Sequence, residues 1–127
     1  MTDPVGVDLD LDSPVPPFEQ IRARIADLVR RGVLAPRDRL PSVRTLAADL
    51  GIAPNTVVRA YDALELAGLV QKEGRRGTVV AEAPPPPDHA EVEASLRSAV
   101  ALARAAGWDA ERVRRSVDGA LGGVVSG

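Results

Sequence analysis

From Phe18 onward, apolar side chains at Phe18, Ile21, Ile25, Leu28 and Val29 keep the three- and four-residue spacing of one helix face, and Gly32 with Pro36 ends the pattern. Leu40-Pro41-Ser42 opens a second helix. The Ser42 hydroxyl is placed to cap it, and Val43, Leu46, Ala47 and Leu50 share one face. Gly51 supplies the left-handed stop. Only Gly51-Ile52-Ala53 separates this helix from Pro54, a residue tolerated at a first helical position. Val57, Ala60, Tyr61 and Leu64 then form a third stripe ending at Gly68. Two helices joined by so short a turn must cross steeply, as in a helix-turn-helix.

After Gly68 the period changes. Leu69-Val70-Gln71-Lys72 and Thr78-Val79-Val80 are strand-prone, and Glu73-Gly74-Arg75-Arg76-Gly77 between them reads as a hairpin tip, which makes a basic wing. Pro84 to Pro87 form a stiff spacer, with His89 read as a solvated loop residue behind it. Val92, Leu96, Ala99 and Ala103 give a fourth stripe, broken at Gly107 and Trp108. Asp109 is placed to cap a fifth helix carrying Val113, Val117 and Leu121, with Gly122, Gly123 and Gly127 fraying its end. The prediction is a mainly α chain. A flexible arm without core covers 1–16, a winged helix-turn-helix (three helices plus a two-stranded β-wing) 17–82, a polyproline linker 83–87 and a two-helix dimerisation tail 88–127.

Composition narrows the chemistry. The chain has 127 residues, 45% of them apolar, enough for one domain with a core and an appendage. It has no cysteine, which removes disulfides and thiolate sites and fits a reducing compartment. No apolar stretch is long enough to span a bilayer, and the acidic start MTDPVGVDLDLDSP is unlike a signal peptide, so a cytoplasmic location is expected. The formal net charge of -2 argues at first against a nucleic-acid partner. Its distribution reverses that: residues 1–16 hold four acids and no base, whereas residues 17–80 hold eleven bases and seven acids. The positive excess coincides with the helix-turn-helix.

In a winged helix-turn-helix the second motif helix enters the major groove of duplex DNA and its partner crosses the backbone. Asn55, Val58, Arg59 and Asp62 lie off the apolar stripe and face outward. Asn55 suits adenine, because a side-chain amide pairs with it through two hydrogen bonds. Thr56 suits a phosphate or a thymine methyl, Arg59 a phosphate, and Arg44 a phosphate or a guanine edge. Lys72, Arg75 and Arg76 suit a minor groove or the backbone, although charged hairpin tips also serve solubility. Ser42 and Gly74 complete the expected interface. Trp108 reads as a packing or dimer anchor, beside Val92, Leu96, Ala99, Ala103, Val113, Val117 and Leu121.

The run Leu40-Pro41-Ser42-x-Arg44-x-Leu46-Ala47, then Gly51, Asn55-Thr56-Val57 and Arg59-Ala60-Tyr61-x-x-Leu64-Glu65-x-x-Gly68-Leu69, resembles the GntR-type bacterial transcriptional regulators. With its short two-helix tail the chain is similar to their YtrA-like branch. The resemblance covers residues from about 18 to 80 and implies a homodimeric operator-binding protein, usually a repressor. It also implies DNA contacts at Arg44, Asn55, Thr56 and the wing tip. Many members carry arginine where this chain has Pro54 and a polar residue where it has Val58, and the wing glycine stands here one place early, at Gly74. A dimer would set its recognition helices about one DNA turn apart, on a pseudo-palindromic operator.

Two further readings compete with a DNA-binding regulator: a winged-helix adaptor that contacts protein, and a relic of GntR-like regulators fused to an aminotransferase. Such fusions are far longer and use a pyridoxal-phosphate lysine, whereas the only lysine here is Lys72, in the wing. One histidine, His89, cannot assemble a nucleophile, base and orienting acid, so no catalysis, metal or cofactor is expected. Two tail helices cannot alone enclose an effector pocket, so any small-molecule site is expected between subunits.

Overall fold

Helix α1 (Pro17–Arg30) lays Ile21, Ile25 and Leu28 into the centre of the molecule, the stripe that its sequence spacing marks out. A computed structural model describes residues 6–125, with side chains as far as Gly122. Helices α2 (Val43–Leu50) and α3 (Pro54–Leu66) follow, then strands β1 (Val70–Lys72) and β2 (Thr78–Val80), and the tail helices α4 (His89–Ala105) and α5 (Ala110–Val125). α3 packs on both α1 and α2, and its buried Val57, Ala60, Tyr61 and Leu64 meet Leu46 and Ala47 of α2 and Leu69, Val70 and Val80 of the wing in one core. Each large aliphatic side chain buried there contributes about 1.5–3 kcal/mol.

The turn between α2 and α3 forms by the expected devices. Ser42 accepts a hydrogen bond from the Thr45 N–H at 3.1 Å, and Gly51 closes α2 with φ 68°, a conformation that costs glycine little. Pro54 occupies the first turn of α3. The buried Tyr61 hydroxyl donates to the Pro41 carbonyl at 2.7 Å, tying α3 to the chain that enters α2. The wing pairs Val70 with Val80 and Lys72 with Thr78, antiparallel, around a single 3-10 turn at Gly74–Arg76.

The structure departs from the sequence expectation in several places. The segment before α2 joins the wing: Arg39 bridges Val79, and the Leu40 N–H donates to the Thr78 carbonyl at 2.8 Å. The arm is not without core. Val7 and Leu9 pack against the buried cluster, while the Gln20 amide accepts from the Asp10 N–H and donates to the Asp10 and Val15 carbonyls, all at 2.8 Å. A charge count marks this segment as solvated because it does not register Val7 and Leu9 or an amide offered from α1. Residues 1–5 of the predicted arm lie outside the described residues. His89 is not a loop residue but the exposed first residue of α4, which Asp88 caps by accepting from the Glu91 N–H. α5, capped by Asp109, runs through Gly122 and Gly123 to Val125 and does not fray at those glycines; Gly127 lies outside the described residues.

Candidate nucleic-acid interface

The outward face of α3 carries Asn55, Arg59 and Asp62 exposed, with Thr56 and Val58 half-buried. No side chain caps this helix, so its opening turn keeps the positive end of the helix dipole. On α2, Arg44 is exposed. Arg44, Asn55 and Arg75 have no hydrogen-bond or ion-pair partner among the described residues. Ser42 is committed to the helix, because its hydroxyl accepts from the Thr45 N–H and donates to the Thr45 Oγ1 at 2.9 Å.

Other predicted cations are held within the chain. Lys72 turns back from β1 onto α3, where it pairs with Asp62 and, at 3.7 Å, with Glu65. The Asp62 hydrogen bond raises its pKa above the ordinary lysine value. The Arg59 guanidinium lies over the Phe18 ring of α1, 4.0 Å from its centroid, a cation–π contact that leaves the guanidinium edges open.

Two arginines that the sequence pattern did not single out border the wing. Arg37, in the left-handed region at φ 73°, grips Glu73 with two bonds of 2.6 and 2.9 Å, which hold the Glu73 carboxyl below its usual range. Arg39 reaches Gly77, where a Cβ would stand 3.8 Å from its Nη2. Arg39, Arg75 and Arg76 therefore gather at the wing turn, all exposed. The adjacency of Arg37 and Arg39 to Leu40-Pro41-Ser42 was visible in the sequence, but the strand-like bridge that brings them to the wing joins residues 40 apart.

On the tail, Val92, Leu96, Val117 and Leu121 are 44–58% exposed, Ala99 is exposed, and Ala103, Trp108 and Val113 are half-buried. Arg112 covers the Trp108 ring at 4.3 Å. One open cleft of about 850 Å³ runs between the arm, α1 and α4, walled by Val15, Ala23, Ala26, Val92, Leu96 and Leu102. A cavity of effector size thus forms within one chain, because the arm and α1 supply walls that the tail lacks. Among the described residues no group of acidic, histidine or cysteine side chains has metal-binding geometry, and no helix is long and apolar enough to cross a membrane.

A helix-turn-helix with an arginine-bordered wing is the architecture of winged helix-turn-helix transcriptional regulators. Residues 17–80 match the family described as bacterial regulatory proteins, gntR family, and the chain belongs to it, within its YtrA-like branch. It is 43% identical over 99 residues to the HTH-type transcriptional regulator Rv1152 of Mycobacterium tuberculosis, covering 78% of this chain and 80% of that protein. It is 40% identical over 76 residues to the HTH-type transcriptional repressor YtrA of Bacillus subtilis, covering 60% of this chain and 58% of the relative. The solved YtrA of Sulfolobus acidocaldarius, a GntR-family transcription factor, superposes with TM-score 0.58 at 33% identity, over 75% of this chain and 97% of that one. The DNA-binding domain of AraR in complex with operator ORE1 shares the fold, at TM-score 0.51 and 24% identity over 58% of this chain and 90% of that one.

Proposed function

We propose that the protein is a sequence-specific DNA-binding repressor that grips a pseudo-palindromic operator as a homodimer and catalyses no reaction. The observation that carries this reading is the contrast among its polar groups: Arg44, Asn55 and Arg75 stand exposed and unpartnered, while neighbouring cations are neutralised within the chain. Asn55 reads a base, Thr56 meets a phosphate or a thymine methyl, Val58 meets a thymine methyl, and Arg44 takes a phosphate or a guanine edge. Arg75 and Arg76 reach for the minor groove or its flanking phosphates, joined by Arg39. Lys72 and Ser42 contribute indirectly, by holding the wing against α3 and capping α2.

The exposed apolar residues of α4 and α5 pair two copies. Val92 and Leu96 line both that face and the cleft, so an effector site belongs at the edge of the subunit interface. Footprinting on the DNA upstream of the protein's own gene tests the reading. Protection of an inverted repeat that weakens steeply between about 50 and 200 mM salt is expected, since phosphate contacts release counterions. Salt-insensitive association, or binding to protein in place of DNA, would assign the winged helix to an adaptor.

A further inference from the structure

Helix α4 is fixed to the DNA-binding head at two separate points. At the first, Arg30, the last residue of α1, grips Glu91 in the opening turn of α4 through Nε at 3.0 Å and Nη2 at 2.6 Å. Both side chains are largely withdrawn from water, at 22% and 13% exposure. The remaining arm of the same guanidinium donates to the Pro85 carbonyl, so one side chain holds the linker and the helix together. At the second, Ser98 donates to the Glu19 carboxylate at 3.1 Å, and Arg22 holds that carboxylate through bonds of 2.7 and 2.5 Å.

Glu91 and Ser98 stand two helical turns apart, about 10 Å along α4, and their partners lie at opposite ends of α1, so the two helices run antiparallel. Ala94 between the fixed points and Ala101 just beyond Ser98, small residues on the same face, allow close approach. The linker is seated as well. A Cβ added to Gly68, whose φ is 78°, would meet Pro85 Cδ at 3.0 Å, so proline packs where any larger residue would push it away.

A helix held at one point pivots; a helix held at two points two turns apart does not. Beside these contacts α4 carries the exposed Val92 and Leu96, which also border the cleft, and Val100, the surface that joins two copies in the proposed dimer, on which this inference rests. The angle of α4 on its own head therefore sets the distance and twist between the two reading heads. B-DNA turns once in about 10–10.5 base pairs, so each inserted pair rotates one half-site by about 35° relative to the other. We infer that Arg30 and Glu91, with Glu19 and Ser98, are positioning residues that fix which half-site spacing the dimer accepts. They touch no DNA themselves, and their part in recognition is geometric.

The experiment uses the full chain, Glu91→Gln, and the double variant Arg30→Met/Ser98→Ala. The chain has no cysteine, so spin labels at Ala48→Cys in α2 and Arg97→Cys in α4 report the head-to-tail distance. Dilution with excess unlabelled protein confines the signal to one chain. In parallel, affinities are measured for synthetic duplexes carrying one or two copies of a half-site recovered from random DNA, with the copies at the preferred spacing or one and two base pairs further apart.

The parent chain is expected to give one narrow distance and at least about tenfold discrimination between spacings, equivalent to about 1.4 kcal/mol. Both variants should broaden the distance and cut the discrimination to about threefold or less, with single half-site affinity unchanged. A distance distribution as narrow as the parent's in both variants, or unchanged spacing preference, overturns the inference. Failure of the dimer reading is recognised separately: the parent would sediment as a monomer and ignore spacing while its distance stayed narrow, and the spacing role would fall with it.

Discussion

Arg44 and Lys72 carry the same charge on neighbouring parts of the motif, but only Arg44 is without an internal partner; Lys72 is bonded to Asp62 and faces Glu65. Arg44→Ala should therefore weaken operator binding by about tenfold or more, as loss of a charged contact costing about 1–3 kcal/mol does. Its unfolding free energy should stay within about 0.5 kcal/mol of the parent's, checked by denaturant titration. An equal loss of folding would make it a structural arginine. The pair Arg37–Glu73 carries a pH dependence. Glu73 has its carboxyl pKa depressed in the folded chain, first by its hydrogen bond to Arg37, so its stabilising contribution is full above the unfolded carboxylate value and is lost as pH falls through the folded one. Glu73→Gln should lower stability at pH 7, and the difference from the parent should shrink as pH falls below the ordinary carboxylate range, as read by thermal melts across that range. At this scale the sequence made Asn55 and Arg44 legible, because their phase against the apolar stripes sets their exposure. It hid the fates of Lys72 and Arg59, because their partners Asp62, Glu65 and Phe18 are brought to them by packing between elements.

Among elements, the cap and the turn were legible because they are local. Ser42 and Thr45 are three residues apart, and Gly51 must adopt a positive φ wherever α2 stops before so short a turn. Gly51→Ala should cost about 1 kcal/mol in denaturant titrations, since alanine pays for the left-handed conformation, although the added Cβ meets nothing within 4 Å. A cost near zero would mean that the turn relaxes into another conformation. The bridge from Arg39 to Val79 and the seating of Val7 and Leu9 left no periodic trace, as both are made by short, non-repetitive segments. α5 continues past Gly122 although glycine costs a helix about 1 kcal/mol per residue, a case where a weak local preference does not decide the outcome.

For the whole molecule, the separation of charge and the tail carry the account. The acidic arm lies along α1 at the α4 side, where it borders the cleft, while the exposed arginines Arg39, Arg44, Arg75 and Arg76 belong to the wing and α2. Removing residues 88–127 should give a folded monomer with much weaker operator affinity, because the two heads then bind independently and lose the gain from being joined. Sedimentation of the truncated chain checks the first part, and dimerisation without the tail would contradict it. The most direct test of the central claim is selection of bound sequences from a random duplex library by the full-length chain. The account predicts enrichment of one motif with inverted symmetry, its half-sites about one helical turn apart or a multiple of that spacing. Enrichment of no motif, or of one without inverted symmetry, would contradict it.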